Sequence, residues 1–450
     1  MKAGRLALIG LDCADPRLIE DLLPGMPTLA ELARGGNFAP LASVDPPITV
    51  PAWMCMFTGR DPGELGVYGF RNRTDHTYSG WAVASSAAFP APAVWDVLGR
   101  RGIRSVLLGI PGTYPPRPVR GAMVSGPLTP GPEANFAYPP WLKAEITDWV
   151  GEYLVDVRNF RTENKDQLLE QVHAMTGQRF TLARRLSARV QWDLFAMVDM
   201  GPDRVHHGLW AHHDPRHRRF DPHSPYRSAL REYYQFLDRQ LGEFLSDLPG
   251  GTQVVVVSDH GVQRMEGGIG INEWLVREGY LVLRDYPPRP MRMDELIRTG
   301  AVDWSRTVAW GEGGHYGRVF LNVAGREPAG CVPQRRYEQV RAELAARLAA
   351  IPGSDGTPLR SRALRPQQLY RQARGIPPDL IVYFDDLAYR SLGTVGWNRV
   401  HLPENDTGPD DANHAPQGMF LANPPLEAAP RSLLGVAGLI CEHFGLKEGL

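Results

Sequence analysis

Four consecutive valines followed at once by the letters SDHG restrict the fold of this chain more than any other feature. The run covers Val254–Val257, and Asp259 and His260 come directly after Ser258. A short, wholly apolar run is typical of a β-strand buried on both faces, as in a parallel sheet. Since open α/β sheets bind ligands at the carboxyl ends of their strands, we expect a sheet with polar side chains gathered along one edge.

Similar runs and the helical patterns between them extend this prediction over the whole chain. Further apolar runs predict strands at 6–10, 105–110, 193–199, 318–323, 379–384 and 418–423. Amphipathic patterns predict helices at 28–34, 94–101, 165–188, 226–248, 337–350 and 432–444. Strands that alternate with helices indicate a doubly wound, mostly parallel α/β sheet with helices on both faces.

Two stretches interrupt the alternation of strands and helices. Residues 111–165 begin with a segment rich in proline and glycine, and residues 286–374 mix loops with one strand and one helix. Ligands bind at the carboxyl edge of such sheets, and we expect both stretches to cover that edge. The prediction is one catalytic domain over residues 1–450, with 111–165 and 286–374 as cap insertions.

Charge and cysteine content exclude several classes of partner. The formal net charge is -1, so no overall field attracts nucleic acid or an anionic membrane. The first apolar run ends at Asp12, which is too early for a signal-peptide core or a membrane span. The four cysteines are far apart and form no CxxC pair, unlike a disulfide framework. These features predict a cytoplasmic protein without a membrane or nucleic-acid partner.

Other polar residues fall at predicted strand ends and loops. Asp12 ends the first strand, Asp203 and His207 are spaced i and i+4, and His414 lies just before the last strand. Taken alone, Asp12 is as well explained as a helix cap, and a single histidine is more often a surface or core residue than a ligand. Together with the Asp-His pair after the valines, these oxygen and imidazole ligands suit two divalent ions of the Zn²⁺ or Mn²⁺ kind.

Thr49 lies between Pro47 and Pro51, at the start of a predicted helix. One interpretation is a proline-rich loop in which the threonine is incidental. The other is a nucleophile held in a fixed direction by the two prolines, which restrict the backbone. Trp53, in the same helix, is expected to pack in the core.

Several motifs, in this order, resemble the alkaline phosphatase superfamily and within it the type I phosphodiesterase/nucleotide pyrophosphatase branch. They are GLD, PPITVPAW, FTGRDPGELGVYGF, DRVHHGLW, SDHG, INEWLVREGYL, WGEGGHYGRVFLNVAGREPAG and the final loop with His414. The resemblance implies an alkaline phosphatase-like fold with two metal sites. One site would be held by Asp12, Thr49, Asp259 and His260, and the other by Asp203, His207 and His414. The spacing favours His207 over its neighbour His206.

The resemblance also implies an activity, namely metal-dependent hydrolysis of phosphate esters through a phosphorylated Thr49. A phosphodiester is the favoured substrate, because phosphomonoesterases and related mutases mostly use serine. Zn²⁺ is the favoured metal and Mn²⁺ the alternative, and the substrate is expected to be a small phosphate ester or nucleotide-like molecule. Asn72 is a candidate substrate contact, although its local pattern is shifted from that of the relatives. His315 is read either as a second substrate contact or as a loop histidine. The alternatives are a phosphomonoesterase, a phosphotransferase or mutase, and a non-catalytic protein that binds metal or phosphate.

Overall fold

The computed structural model describes residues 4–446, which form two compact units. The first unit comprises residues 4–70, 83–262 and 414–446, and the second comprises residues 71–82 and 263–413. Among the described residues, no helix combines the length and apolar character needed to cross a membrane.

The strands are numbered in chain order. They are β1 (Leu6–Leu11), β2 (Asn37–Ala42), β3 (Arg71–Arg73), β4 (Trp81–Val83), β5 (Ser105–Ile110), β6 (Gly121–Ser125), β7 (Ala137–Tyr138), β8 (Leu194–Asp199), β9 (Gln253–Val257), β10 (Gly261–Arg264), β11 (Gly267–Gly270), β12 (Ala309–Glu312), β13 (Gly317–Leu321), β14 (Arg362–Leu364), β15 (Leu380–Tyr383), β16 (Tyr389–Leu392), β17 (His401–Leu402), β18 (Ala412–Ala415) and β19 (Gln417–Asn423).

The α-helices are numbered in the same way. They are α1 (Pro16–Leu22), α2 (Pro27–Gly35), α3 (Thr49–Thr58), α4 (Pro62–Leu65), α5 (Val94–Arg100), α6 (Leu142–Val150), α7 (Lys165–Arg189), α8 (Gly201–His213), α9 (Ala229–Ser246), α10 (Ile271–Arg277), α11 (Met293–Arg298), α12 (Tyr337–Ala349), α13 (Pro366–Leu369) and α14 (Gly435–His443). Short 3-10 turns lie at Leu23–Gly25, Ser86–Ala88, Gln334–Arg336 and Asp385–Leu387.

The first unit is built on an eight-stranded sheet in the order β2-β19-β9-β1-β8-β5-β6-β7. The five strands from β9 to β6 are parallel, whereas β19 runs antiparallel to β9 and β2, and β7 runs antiparallel to β6. Every residue of β1, β5 and β8 is buried, so both faces of the sheet centre are covered. The predicted class, a mostly parallel α/β sheet, is confirmed.

Strand direction brings five chain segments to one edge of this sheet. β9, β1 and β8 lie side by side, with Gly10 in register with both Val257 and Val198, so their carboxyl ends are level. The antiparallel strand β19 begins where β9 ends, and β2 ends beside the start of β19. Residues that follow β1, β2, β8 and β9 therefore meet residues that precede β19.

The second unit has its own antiparallel sheet, in the order β12-β13-β15-β14, and a smaller sheet in the order β16-β11-β17. Helix α10 packs on β12, and α12 packs on β14 and β15. Between them lies an apolar core that includes Leu275, Trp310, Phe320 and Leu344. This unit is therefore a separately packed layer of sheet and helices.

Two predicted strands belong to a different sheet from the one expected. The runs at 318–323 and 379–384 form β13 and β15, which pair antiparallel in the second unit, and the run at 418–423 forms β19, which is antiparallel within the main sheet. An apolar run shows that both faces of a strand are covered but carries no information on strand direction. The six predicted helices are confirmed as α2, α5, α7, α9, α12 and α14.

The predicted cap insertions fall in different units. Residues 111–165 lie in the first unit and residues 286–374 in the second. The description of residues 1–450 as one domain with two caps stays a prediction, and its outermost residues lie outside the described range.

A tight contact in the sheet centre yields a stability prediction. A β-carbon on Gly10 would lie 2.5 Å from the ring of Trp53 and 2.8 Å from Val198. Gly10→Ala is therefore expected to destabilise the protein by about 1–3 kcal/mol through overpacking, measured by denaturant unfolding. Gly438→Ala, in open space on α14, is the matched control and should be stabilising by up to about 1 kcal/mol. Equal losses in both variants would contradict this reading of the contact.

Candidate functional site

The seven residues predicted as nucleophile and metal ligands all lie in the first unit, and each is at most 3% exposed. Their positions follow from the sheet edge. One residue follows β1, two follow β9, one begins α3, two lie on α8, and one lies in β18 just before β19. In chain order they are Asp12, Thr49, Asp203, His207, Asp259, His260 and His414.

Two of the three carboxylates are each held at one oxygen by a fixed donor. Asp12 Oδ2 accepts a hydrogen bond from Trp53 Nε1 at 2.6 Å. Asp259 Oδ1 accepts one from the backbone amide of Cys13 at 3.2 Å. Because the donors belong to a buried ring and to the backbone directly after β1, the two carboxylates cannot rotate freely.

The third carboxylate, Asp203, is held in the same way by the next residue along the chain. Asp203 Oδ2 accepts a hydrogen bond from Arg204 Nη1. Its other oxygen, Oδ1, lies 3.3 Å from His207 Nε2 and 3.6 Å from His414 Nε2. The i, i+4 spacing on α8 thus places Asp203 and His207 on one face, as predicted for a single helical turn.

The second oxygen of each carboxylate is buried and accepts no hydrogen bond from any residue in 4–446. These oxygens are Asp12 Oδ1, Asp203 Oδ1 and Asp259 Oδ2. His260 Nε2 lies 3.2 Å from the Asp259 oxygen and 3.8 Å from the Asp12 oxygen. A buried carboxylate oxygen without a partner is costly, so three of them facing imidazoles indicate a place for cations.

The imidazoles are oriented so that their Nε2 atoms face these oxygens. His260 Nδ1 lies 3.1 Å from Gly261 O, and His414 Nδ1 lies 2.7 Å from Pro47 O. A carbonyl oxygen only accepts, so Nδ1 carries the proton in both rings and Nε2 keeps its lone pair. The two rings stack with centroids 3.7 Å apart.

Burial and neighbouring charges shift the pKa of several of these groups. It lowers the pKa of His260 and of His414, which keeps both rings neutral and able to bind a metal. Burial raises the pKa of Asp12 well above its usual value, and the negative charges of Asp259 and Asp203 add to the rise. For Asp203, burial alone would raise the pKa, but the charges of His207 and Arg204 hold it well below its usual range.

The arrangement fits divalent cations. Within the first unit, two sets of potential ligand atoms each lie within 4.8 Å of one another, and His260 belongs to both: Asp12, Asp259 and His260, and Asp203, His260 and His414. Carboxylate oxygens and neutral imidazole nitrogens are among the ligands that bind Zn²⁺ and Mn²⁺. The buried carboxylate oxygens that accept no hydrogen bond also favour cations, because a cation would offset their negative charge.

Thr49 is the first residue of α3, and its hydroxyl faces this cluster. Thr49 Oγ1 lies 3.4 Å from His260 Nε2. Pro51 has no amide hydrogen, and Ala52 N donates to the carbonyl of the residue before the helix at 2.9 Å. In the first turn, the helix's own bonding therefore leaves the amides of Thr49 and Val50 for a ligand.

Three further residues enter the prediction, namely the neighbouring histidine His206 and the two predicted substrate contacts Asn72 and His315. His206 is buried on another face of α8, with Nε2 3.0 Å from Tyr234 Oη. Asn72 lies in β3, and His315 lies in the turn before β13, where its Nδ1 is 2.8 Å from Asn413 Oδ1. Both belong to the second unit, and their contact with substrate stays a prediction.

Sequence reasoning missed three groups that orient the site: the Trp53 indole, the Pro47 carbonyl and the Arg204 guanidinium. Trp53 was expected only to pack in the core, although its i, i+4 spacing from Thr49 already placed both on one helix face. No comparable signal exists for Arg204, because adjacent residues on a helix do not face each other. A backbone carbonyl such as that of Pro47 carries no signal in sequence at all.

Comparison with known proteins gives one family and a set of shared folds. Residues 6–410 match the family model described as type I phosphodiesterase / nucleotide pyrophosphatase. No curated protein sequence matches the chain significantly. A similar solved structure is phosphonoacetate hydrolase from Sinorhizobium meliloti 1021 in complex with phosphonoformate, with a TM-score of 0.64 and 16% identity, covering 97% of this chain and 94% of that one.

Two further similar structures are ectonucleotide pyrophosphatase/phosphodiesterase 5 proteins. The human protein has a TM-score of 0.54 and 13% identity, covering 99% of this chain and 96% of that one. An inactive threonine-to-alanine variant of the murine protein, in complex with AMP, has a TM-score of 0.52 and 13% identity, covering 99% and 97%. At these identities the likeness shows a common fold.

The buried charge of Asp259 yields a prediction for the metal-free protein. Burial raises the pKa of Asp259 well above its usual value, so the folded state holds its proton more tightly than the unfolded state, and stability falls as pH rises. With a chelator present, Asp259→Asn should therefore raise the melting temperature, and by more at about pH 8 than at about pH 4. Added Zn²⁺ should stabilise the wild type more than this variant.

The control is Asp21→Asn, which removes an exposed carboxylate at the end of α1. It should change neither the melting temperature of the chelated protein nor the response to Zn²⁺. If Asp259→Asn lowered stability in chelator as much as it lowered the response to metal, the account of uncompensated buried charge would be wrong.

Proposed function

Because this chain belongs to the type I phosphodiesterase/nucleotide pyrophosphatase family, we propose that it hydrolyses phosphate esters, with phosphodiesters favoured, through a covalent intermediate on Thr49. One observation carries the proposal. Each of three buried carboxylates is anchored at one oxygen and turns the other, without a hydrogen bond, toward imidazole nitrogens. The hydroxyl of Thr49 lies 3.4 Å from one of these nitrogens, His260 Nε2.

The residues that would hold two divalent ions form two sets. In the proposal, one ion is held by Asp12, Thr49, Asp259 and His260, and the other by Asp203, His207 and His414. Such ions lower the pKa of a bound hydroxyl and stabilise charge on the attacking and leaving oxygens of an in-line displacement. Zn²⁺ is the favoured metal because imidazole and monodentate carboxylate ligands suit its low coordination number, and Mn²⁺ is the alternative.

The chain's own groups then perform two displacements. Thr49 Oγ1 loses its proton to water and forms a bond to phosphorus, while the bond from phosphorus to the leaving group breaks and the leaving group takes up a proton to become an alcohol. Water next attacks the same phosphorus, releases Thr49 as a hydroxyl and completes the hydrolysis. The amides of Thr49 and Val50 at the start of α3 are placed to donate to the phosphoryl oxygens. Burial of the cluster strengthens each of these interactions.

The relatives support this choice of nucleophile and substrate class. The murine relative described as inactive carries alanine in place of a threonine and binds AMP. The Sinorhizobium relative, a phosphonoacetate hydrolase, binds phosphonoformate. We therefore propose a small phosphate ester or nucleotide-like substrate for this chain, and keep its cytoplasmic location as a prediction from sequence.

One assay distinguishes a phosphodiesterase from the three alternatives. Bis(4-nitrophenyl) phosphate, 4-nitrophenyl phosphate and phosphonoacetate are compared with Zn²⁺ or Mn²⁺ added after chelation. Preference for the monoester indicates a phosphomonoesterase, and transfer of phosphate to an added alcohol indicates a phosphotransferase or mutase. No turnover of any substrate with either metal indicates a non-catalytic binding protein.

Removing the Thr49 hydroxyl should abolish turnover while leaving the fold intact. Thr49→Ala is expected to lower kcat for bis(4-nitrophenyl) phosphate by about 10³-fold or more, as when other enzymes lose a nucleophile. Thr49→Ser, which keeps a hydroxyl, should retain measurable activity and carry a 4-nitrophenyl phosphate group on residue 49, detectable by mass spectrometry after acid quench. Thr58→Ala, at the other end of the same helix, is the control. Unchanged turnover by Thr49→Ala would refute the covalent scheme.

Metal content gives a second, independent measurement. Wild-type protein reloaded with Zn²⁺ is expected to hold about two ions per chain, measured by inductively coupled plasma mass spectrometry after gel filtration. Asp12→Asn and His414→Gln should each retain about one ion, because each removes a ligand from a different site. Glu20→Gln, on the surface of α1, should retain both. A wild-type content well below two would contradict the two-ion site.

A further inference from the structure

A carboxylate outside the seven residues contacts Arg204, the residue that holds Asp203. Arg204 Nε lies 2.8 Å from Asp156 Oδ1, and Arg204 Nη2 lies 2.7 Å from Asp156 Oδ2. The remaining nitrogen, Nη1, donates to Asp203 Oδ2. One guanidinium group thus joins the two carboxylates, with a bidentate pair on the side of Asp156, which is the strongest geometry available to arginine.

An aromatic ring limits the movement of this guanidinium further. Arg204 Cζ lies 4.3 Å from the centroid of the Phe160 ring, and the same ring lies 5.8 Å from the ring of His207. The Arg204 side chain is only 11% exposed. A cation over an aromatic face and away from water is held more strongly than one at the surface, so Arg204 has one orientation.

The segment that carries Asp156 and Phe160, residues 151–164 between α6 and α7, is pinned to α7 by side-chain contacts. Leu154 N donates to Gln178 Oε1 at 2.7 Å, and Arg158 N donates to Gln171 Oε1 at 3.1 Å. These bonds hold the backbone on both sides of Asp156. The segment falls inside the stretch predicted as the first cap insertion.

We infer that Asp156 is a positioning residue for the proposed metal site formed by Asp203, His207 and His414. It acts through Arg204, which occupies one oxygen of Asp203 so that the other is presented to the cation. With Oδ2 occupied by Arg204, Asp203 has Oδ1 left for a cation. Asp156 keeps Arg204 in that position and offsets its positive charge, which would otherwise repel a nearby dication. The inference rests on the proposed function, because it concerns the affinity of one of the two proposed ions.

Replacing Asp156 should change cation affinity in one direction only, whereas replacing Arg204 would have two opposing effects on it. Removing Arg204 would free Asp203 but would also remove a repelling charge, and these effects oppose each other. Removing the charge of Asp156 both loosens Arg204 and leaves its charge uncompensated, so both effects weaken cation binding. Asp156 is 29% exposed and lines an open cleft of about 640 Å³, so its substitution disturbs no packed core.

The experiment compares Asp156→Asn with Glu152→Gln in the reloaded full-length enzyme. Glu152 lies in the same segment and lines the same cleft, but pairs with exposed Arg158 at 2.8 Å. Both variants lose one carboxylate charge, but of the two carboxylates removed, it is that of Asp156 that contacts Arg204. Zn²⁺ affinity is measured by competition with a chromophoric chelator, alongside activity as a function of free Zn²⁺.

Asp156→Asn is expected to lower the affinity for one of the two ions by about 10- to 100-fold, the usual effect of losing a residue that orients a metal ligand. Activity should recover at saturating Zn²⁺. Asp156→Glu should restore part of the affinity, and Glu152→Gln should match the wild type. If Asp156→Asn failed to fold, Phe160→Leu, which removes the ring from Arg204, should show the same selective weakening.

Two failures are distinguishable. If the wild type binds two ions and Asp156→Asn binds both as tightly, or no more weakly than Glu152→Gln, the positioning role is overturned and the proposed function stands. If the wild type itself binds no ion, the proposed two-metal function fails, and the positioning role fails with it.

Discussion

Burial of three carboxylates at one sheet edge is the constraint on which the rest of this site depends. Negative charge away from water is costly unless it is paired, and Asp12, Asp203 and Asp259 lie close enough to repel each other. A hydrogen-bond donor holds one oxygen of each, namely the Trp53 indole, the Arg204 guanidinium and the Cys13 amide. These donors orient the carboxylates without neutralising the site, so the opposite oxygens keep their affinity for cations.

Strand direction explains how one short stretch of the sheet edge brings these residues together. Parallel strands β9, β1 and β8 bring their ends together, and the site residues that follow them are the three carboxylates, His207 and His260. Thr49 and the last imidazole, that of His414, come from an antiparallel addition, in which β19 starts, and β2 ends, at the same edge. The hydrogen bond between His414 and Pro47 joins these two segments directly. The antiparallel strands thus complete the site that the parallel strands begin.

The fold class and the clustering of polar residues were predictable because they follow from local patterns. Apolar runs of strand length, ended by Asp or His, indicate covered strands with polar carboxyl ends, and the i, i+4 pair Asp203 and His207 indicates one helix face. The membership of β13 and β15 in a separate antiparallel sheet was not predictable, since a covered strand reads the same in either sheet. Neither was the bond between Asp156 and Arg204, which joins residues far apart on different elements.

The sequence by itself determined which residue types can bind metal and phosphate, where strands and helices run, and the family to which the chain belongs. Only the tertiary structure decided which oxygen of each carboxylate is held, which imidazole nitrogen carries the proton, and that Arg204 links Asp203 to Asp156. The physical reason is that composition and periodicity act within an element, over a few residues. Hydrogen-bond direction depends on donors and acceptors from distant segments, whose meeting is set by how those elements pack.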